Sequence, residues 1–190
     1  MPFEMTISFV KLCWWIFAIV WVVSAFSVKA VKERQNFAGR LARMIFFSIA
    51  FLLLSGTIHA FGLDTICLPR TGALLIAGDL ITLLGLLIAI WARFTLGGNW
   101  SGTITFKVDH ELIERGPYRF VRHPIYTGCL LMILGTAIVV GRTGGFLALL
   151  ICLVGTWQKL RQEETLLTRH FPEAYPSYVS RTKALVPFLL

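Results

Sequence analysis

The sequence predicts an all-α, polytopic membrane protein of about five transmembrane helices with its polar chemistry gathered at one end of the bundle. Three observations point there. Of the 190 residues, 56% are hydrophobic and only 15% charged, a chain too apolar to keep its surface solvated in water. The apolar residues fall in blocks of membrane-crossing length. The basic residues lie between those blocks instead of being interleaved with aromatics along a polar stretch, so the net charge of +8 reports topology and argues against a nucleic-acid-binding module.

About 20 apolar residues at a rise of 1.5 Å cross a hydrocarbon core of roughly 30 Å, which places spans at residues 7–28, 43–63 and 73–92. The first span lacks a basic n-region and is followed by Lys29, Lys32 and Arg34 rather than a small-residue cleavage site, so it is expected to remain as a helix. Two shorter spans, 125–140 and 144–159, are joined only by Gly141, Arg142 and Thr143, the mark of a tight helical hairpin.

The basic residues fall in three groups on one side: Lys29, Lys32, Arg34, Arg40 and Arg43 in the first loop; Arg93, Lys107, Arg115, Arg119 and Arg122 between helices three and four; and Lys159, Arg161, Arg169, Arg181 and Lys183 in the tail. Only Lys11, Arg70 and Arg142 fall elsewhere. By the positive-inside rule that side is cytoplasmic, the N-terminus lies outside and the C-terminus inside, as expected for a plasma (inner) membrane protein.

Cys13, Cys67, Cys129 and Cys152 show no CxxC spacing and read as packing residues, so neither a disulfide framework nor a metal site is expected. Gly78 and Gly85 are seven residues apart, as are Gly128 and Gly135; each pair lies on one helix face and permits close approach of a neighbouring backbone. Asp79 lies inside a span at a depth similar to His59 on the preceding helix, and the two are expected to form a hydrogen-bonded pair with a structural role.

The longest polar stretch, residues 93–123, is too long for a simple turn. It carries Gly97-Gly98-Asn99-Trp100-Ser101, Asp109-His110-Glu111 and Gly116-Pro117-Tyr118-Arg119, and ends in Arg122-His123-Pro124-Ile125-Tyr126-Thr127-Gly128. Pro124 sets the first turn of helix four, so the backbone N–H groups there are expected to face the polar loop and, with Arg122 and His123, to favour a carboxylate or phosphate. With the hairpin turn centred near Arg142 and Thr143, residue 123 comes level with about residue 162 on helix five, beside Glu163 and Glu164. A basic helix start facing two acids suits a zwitterion such as methionine. The bland alternative is that Arg122 and Arg161 anchor to lipid headgroups while the acids pair with neighbouring bases on a solvated helix.

The run Gly116-Pro117-Tyr118-Arg119-Phe120-Val121-Arg122-His123-Pro124-Ile125-Tyr126-Thr127-Gly128, followed by Glu163-Glu164, then Tyr175, Tyr178, Arg181 and Pro187, resembles the isoprenylcysteine carboxyl methyltransferase family. The likeness covers residues 100–188, and the pairing of RHPxYxG with a downstream EE is more specific than either piece alone. The first two or three helices carry no comparable signature.

The resemblance implies one integral membrane domain over residues 1–190, in which 1–92 supply three helices and 93–190 a cofactor-binding core. It implies S-adenosylmethionine bound in a cytoplasmic pocket made of the polar loop, the last hairpin and the C-terminal segment. His123, Pro124, Tyr126, Gly128, Glu163 and Glu164 carry over as cofactor contacts, with Arg122 beside them, and Arg181 is the residue expected to hold an acceptor carboxylate.

The implied reaction is carboxyl O-methylation of a lipophilic, prenylcysteine-like or lipidated acceptor that arrives through the membrane lipids. An amine acceptor would need a base, for which Glu114 and His110 are placed. The chain departs from the eukaryotic prenylcysteine enzymes in having fewer helices and Asn99-Trp100-Ser101 where those have a His-containing element. The rival readings are a phospholipid amine N-methyltransferase, a nicotinamide-dependent membrane reductase of similar architecture, and a non-enzymatic transport or assembly protein.

Overall fold

A computed structural model describes residues 2–26, 31–34, 37–58, 60–100, 105–107 and 111–187. Six helices follow one another: α1 (Phe3–Ala25), α2 (Phe37–Leu54), α3 (Gly72–Leu96), α4 (Pro124–Val140), α5 (Thr143–His170) and the short α6 (Ala174–Arg181). Two short strands, β1 (Val31–Arg34) and β2 (Thr105–Lys107), pair antiparallel and tie the first loop to the long polar loop. No alternation in the sequence announces that ribbon. The stretches Phe3–Ala25, Gly72–Asn99 and Thr143–His170 are long and apolar enough to cross a bilayer, while Met44–Leu54 and Pro124–Val140 are shorter apolar helices.

The centre of the bundle is the contact of α3 with α4, where the two glycine pairs meet each other. A Cβ on Gly85 would lie 2.5 Å from the Gly128 carbonyl oxygen and 2.7 Å from the Met132 nitrogen; one on Gly128 would lie 2.6 Å from the Gly85 oxygen. Two turns further, a Cβ on Gly135 would lie 2.5 Å from the Gly78 oxygen. These backbones touch, which in lipid is the main source of helix–helix affinity because apolar burial gives no advantage over the acyl chains. α1 packs on α3 and α4, and α2 on α5 and α4.

α1 and α3 lie within four residues of the expected spans, and the larger departures are in α2 and α5. α2 runs over Phe37–Leu54 rather than 43–63, because Gly56 turns left-handed (φ 69°) and its carbonyl accepts from Arg142 Nη1 at 2.9 Å. The chain beyond it caps the α4–α5 turn: Gly144 and Thr143 donate to the Leu63 and Thr65 carbonyls, and Cys67 to that of Gly141. In the other direction α5 does not stop at residue 159 but continues to His170, since Lys159 to His170 is rich in good helix formers and Leu160 is fully buried. This charged extension projects past the apolar part of the helix.

The hairpin itself is as tight as expected, with Gly141 in the left-handed conformation (φ 67°) closing α4 through its N–H to the Ala137 carbonyl. Cys13 and Cys152 are buried and Cys129 half-buried, whereas Cys67 lies exposed in the α2–α3 connection. Asp79 is buried with its Oδ1 unbonded; its expected partner His59 lies outside the described residues, as does His110.

The seam gives a direct test. Gly85→Ala should lower stability by about 1–3 kcal/mol, because backbone atoms of α4 must move to admit the methyl group. Gly72→Ala, with open space around the added carbon, should be neutral. Thermal unfolding of both variants in the same detergent checks the contrast, and equal Tm values would remove the seam's claim.

Candidate active site

At the polar end of the bundle the start of α4 faces the extension of α5, at the level the hairpin arithmetic requires. Arg122 Nε lies 2.8 Å from Glu164 Oε1, and His123 Nε2 lies 3.3 Å from the same oxygen. His123 Nδ1 is 3.7 Å from Glu163 Oε2, and the Tyr126 hydroxyl donates to Glu163 Oε1 at 2.6 Å. Lys159, one turn before Glu163 on α5, brings its ammonium to 3.9 Å from Glu163 Oε1 and 5.1 Å from the centre of the Tyr126 ring. His123 and Tyr126 stack with ring centres 5.6 Å apart.

The C-terminal segment completes this site from the other side. Arg122 N donates to the Lys183 carbonyl at 2.8 Å and His123 N to that of Ala184 at 3.0 Å, while Thr127 Oγ1 donates to Leu185 O at 2.7 Å. The Arg122 guanidinium also reaches the Thr182 carbonyl. The N–H groups of Arg122 and His123, just before Pro124, are therefore taken by this strap. Ala184 and Leu185 bury themselves on Leu160, so one apolar contact and four hydrogen bonds to its carbonyls hold the segment over the cluster.

Below the strap, α6 adds Tyr175 and Tyr178, both buried; the Tyr178 hydroxyl donates to the Tyr118 carbonyl. The Tyr175 hydroxyl is buried beside the charges of Glu164 and Arg122.

Burial alone would raise the Glu164 carboxyl, but hydrogen bonds and charge from His123 and Arg122 outweigh it and hold the group at about 2. Its side chain is 16% exposed and that of Arg122 10%, so the pair is largely out of water. Burial pushes the Tyr175 and Tyr178 phenols up, keeping both protonated as hydrogen-bond donors.

The structure thus brings together Arg122, His123, Tyr126, Glu163 and Glu164, with Pro124 buried as the first residue of α4. It does not bring in two others. Gly128 faces α3, where the nearest atoms to an added Cβ belong to Gly85 and Ala89. Arg181 lies on the surface with 61% of its side chain exposed, its Nη2 2.9 Å from Glu114 Oε2. Sequence reasoning missed Lys159, assigned there to topology alone, although its spacing of four from Glu163 was a usable signal. The resemblance implied the C-terminal segment at this pocket, but no local pattern announces its strap-like pairing with the start of α4.

A cavity of about 260 Å³ runs from this cluster into the apolar part of the bundle. Trp14 and Phe17 of α1 and Phe47, Ala50, Phe51 and Leu54 of α2 form its outer walls, with α4 and α5 behind. Tyr126 and Lys159 belong to both the cavity wall and the acid cluster.

A sequence model of phospholipid methyltransferases matches residues 73–174, more than half of the chain, covering α3, the polar loop, α4 and α5. The chain belongs to the phospholipid methyltransferase family. Within that family its curated relatives include the protein-S-isoprenylcysteine O-methyltransferase of Schizosaccharomyces pombe, 29% identical over 104 residues that cover 52% of this chain and 43% of the relative. A probable protein-S-isoprenylcysteine O-methyltransferase of Oryza sativa subsp. indica is 28% identical over 115 residues, 59% of this chain and 60% of the relative.

Among solved structures, a eukaryotic intramembrane Ras methyltransferase, isoprenylcysteine carboxyl methyltransferase, superposes with a TM-score of 0.60 at 21% identity, over 82% of this chain and 55% of that one. The chain therefore spans about half the length of the relatives it matches. The resemblance seen in RHPxYxG and EE is borne out in family, and the helical intramembrane fold is shared.

Because Glu164 is charged and paired, Glu164→Gln should cost about 1.5–3 kcal/mol of stability at neutral pH by leaving Arg122 without a charged partner. The folded carboxyl sits below its usual 4.5, so this contribution is complete above pH 4.5 and fades as pH falls toward 2. Unfolding scans of the wild type and the variant should converge on acidification, and a pH-independent gap would contradict the pairing.

Proposed function

We propose that this chain is an integral membrane methyltransferase that uses S-adenosylmethionine to esterify the carboxylate of a lipophilic, prenylcysteine-like acceptor. The observation that carries the reading is the junction at Tyr126 and Lys159, where a polar cluster of acids and bases opens into an apolar cavity. The donor set fits the amino-acid end of the cofactor: Glu163 and Glu164 suit an ammonium, while Arg122, His123 and the buried Tyr175 hydroxyl suit a carboxylate. Pro124 sets the α4 turn that presents them, and Gly128 supports that turn by packing on α3.

S-adenosylmethionine, when bound, supplies a methyl group on a positively charged sulfur. An acceptor carboxylate is ionised near neutral pH and needs no general base, so the residues of this chain have to orient, exclude water and balance charge. The strap of residues 182–185 and the buried Tyr118, Tyr175 and Tyr178 exclude water on the polar side. A lipophilic acceptor reaches the cavity laterally between α1 and α2, past Phe47 and Phe51, while the cofactor enters from the basic, cytoplasmic side. The N-terminus then lies outside and residues 1–92 and 93–190 form one unit, since both contribute walls to the cavity.

An amine acceptor fits less well. Glu114, the described residue placed to serve as its base, is held by Arg181 at the surface.

His123→Ala or Glu164→Ala should weaken S-adenosylmethionine binding by about tenfold or more in calorimetry on the detergent-solubilised protein. Unchanged affinity in folded variants would sink the assignment. Incubation with labelled S-adenosylmethionine and prenylcysteine, fatty acid and phospholipid acceptors should give base-labile label on the prenylcysteine; base-stable label on a phospholipid would select the amine reaction.

A further inference from the structure

Two cations on the basic side are positioned to meet the acceptor's anionic group, and their surroundings differ. Arg181 stands on the surface, largely in water, paired with Glu114. An ion pair there contributes little and has no apolar wall beside it to hold a lipophilic chain. Lys159 has only 13% of its side chain exposed and, among the described residues, is the one charged residue lining the apolar cavity.

We infer that Lys159 binds and orients the acceptor's carboxylate at the mouth of the apolar cavity, a role that rests on the methyltransferase reading above. The layout of α5 supports it. Ala148, Cys152, Thr156 and Lys159 line the cavity in helical succession, and Glu163 follows one turn on in the polar cluster. A long acceptor lying along this face has its apolar body against Ala148 and Cys152 and its head at Lys159.

The lysine stem is apolar and suits the cavity wall, while its ammonium extends over the Tyr126 ring toward Glu163. An ammonium has three donors, so it can hold Glu163 and an incoming carboxylate together. Without a cation at that depth, a carboxylate entering apolar surroundings beside Glu163 would meet both desolvation and like-charge repulsion. Lys159 therefore selects for charge, and the cavity selects for the chain.

The test compares binding of a prenyl thioether carboxylic acid with that of its neutral primary amide, by competition against a photoreactive prenyl probe on the full chain in nanodiscs. Wild type should prefer the acid by about tenfold or more. Lys159→Met should abolish that preference while leaving the amide's affinity and the calorimetric affinity for S-adenosylmethionine within about threefold of wild type. Lys159→Arg should keep the preference, and so should Arg181→Ala.

The inference is overturned if Lys159→Met still prefers the acid, if Arg181→Ala loses the preference, or if wild type does not discriminate. It is equally overturned if Lys159→Met and Lys159→Arg both lose cofactor and amide binding in a folded protein, which would make the lysine a strut for Glu163. Failure of the methyltransferase reading shows separately, as absence of S-adenosylmethionine binding to wild type.

Discussion

Everything at the polar end of this molecule depends on the backbone contact between α3 and α4. Where Gly85 meets Gly128 and Gly78 meets Gly135, no side chain separates the helices, and each added carbon would fall within 2.9 Å of the partner's backbone. Close approach of this kind fixes both the rotation and the translation of α4, because a shift of one turn would bring Leu131 or Met132 where only a glycine fits. The polar groups exposed by such tight packing are satisfied locally: Thr82 donates to the Gly78 carbonyl at 2.8 Å, and Trp14 donates to Thr136 at 3.1 Å across from α1. With α4 fixed, His123 at its start is fixed. The short turn at Gly141 then leaves α5 little freedom, and Glu163 and Glu164 arrive opposite.

The same bundle shows how charge is tolerated by depth. Arg93 is 1% exposed yet sits at the C-terminal ends of two helices, donating to the Gly97 carbonyl at 2.9 Å and to that of Ser24, with Trp100 under its guanidinium at 4.5 Å. Carbonyls and helix dipoles do the neutralising there. In the acid cluster, by contrast, the carboxylates are met by side chains, through charge from Arg122 on Glu164 and Lys159 on Glu163 and through contacts from His123 and the Tyr126 hydroxyl. Only the second kind can exchange partners with an incoming zwitterion, since a ligand's amine and carboxylate can replace the groups already there. Arg93 suits a structural task, and the cluster the binding one proposed for it.

Much of this was legible before any coordinates. The hairpin turn and a rise of 1.5 Å per residue were enough to set His123 beside the acids, since two helices joined by so short a turn have a calculable register. The glycine pairs were legible as close-packing faces, though which helix met which was not. Less legible were features set by tertiary contact. α2 ends early because Arg142, far along the chain, binds the carbonyl of Gly56. The strap of residues 182–185 meets the start of α4 through its own backbone carbonyls, leaving no side-chain pattern in the strap to read. Arg181 is spaced from Tyr175 and Tyr178 so as to look like part of one motif, yet the helix turns the tyrosines inward and the arginine outward.

Arg181 and Lys159 also show what counting charges cannot tell. Both belong to the basic excess that orients the chain, and both are paired with a glutamate. One pair lies in water, where screening and side-chain entropy leave it little energetic weight; the other lies between an apolar cavity and a nearly buried acid cluster, where a single charge governs what can enter. The difference comes from α5 continuing past the apolar layer as an unbroken helix. That continuity carries one face of side chains from Ala148 in the cavity to Glu163 in the cluster, so a lipophilic and a water-soluble ligand can meet along one rigid rod. A loop in that place would have separated the two compartments. The extension of α5 to His170 is therefore the part of the fold that turns a membrane bundle into a site for two ligands of opposite solubility.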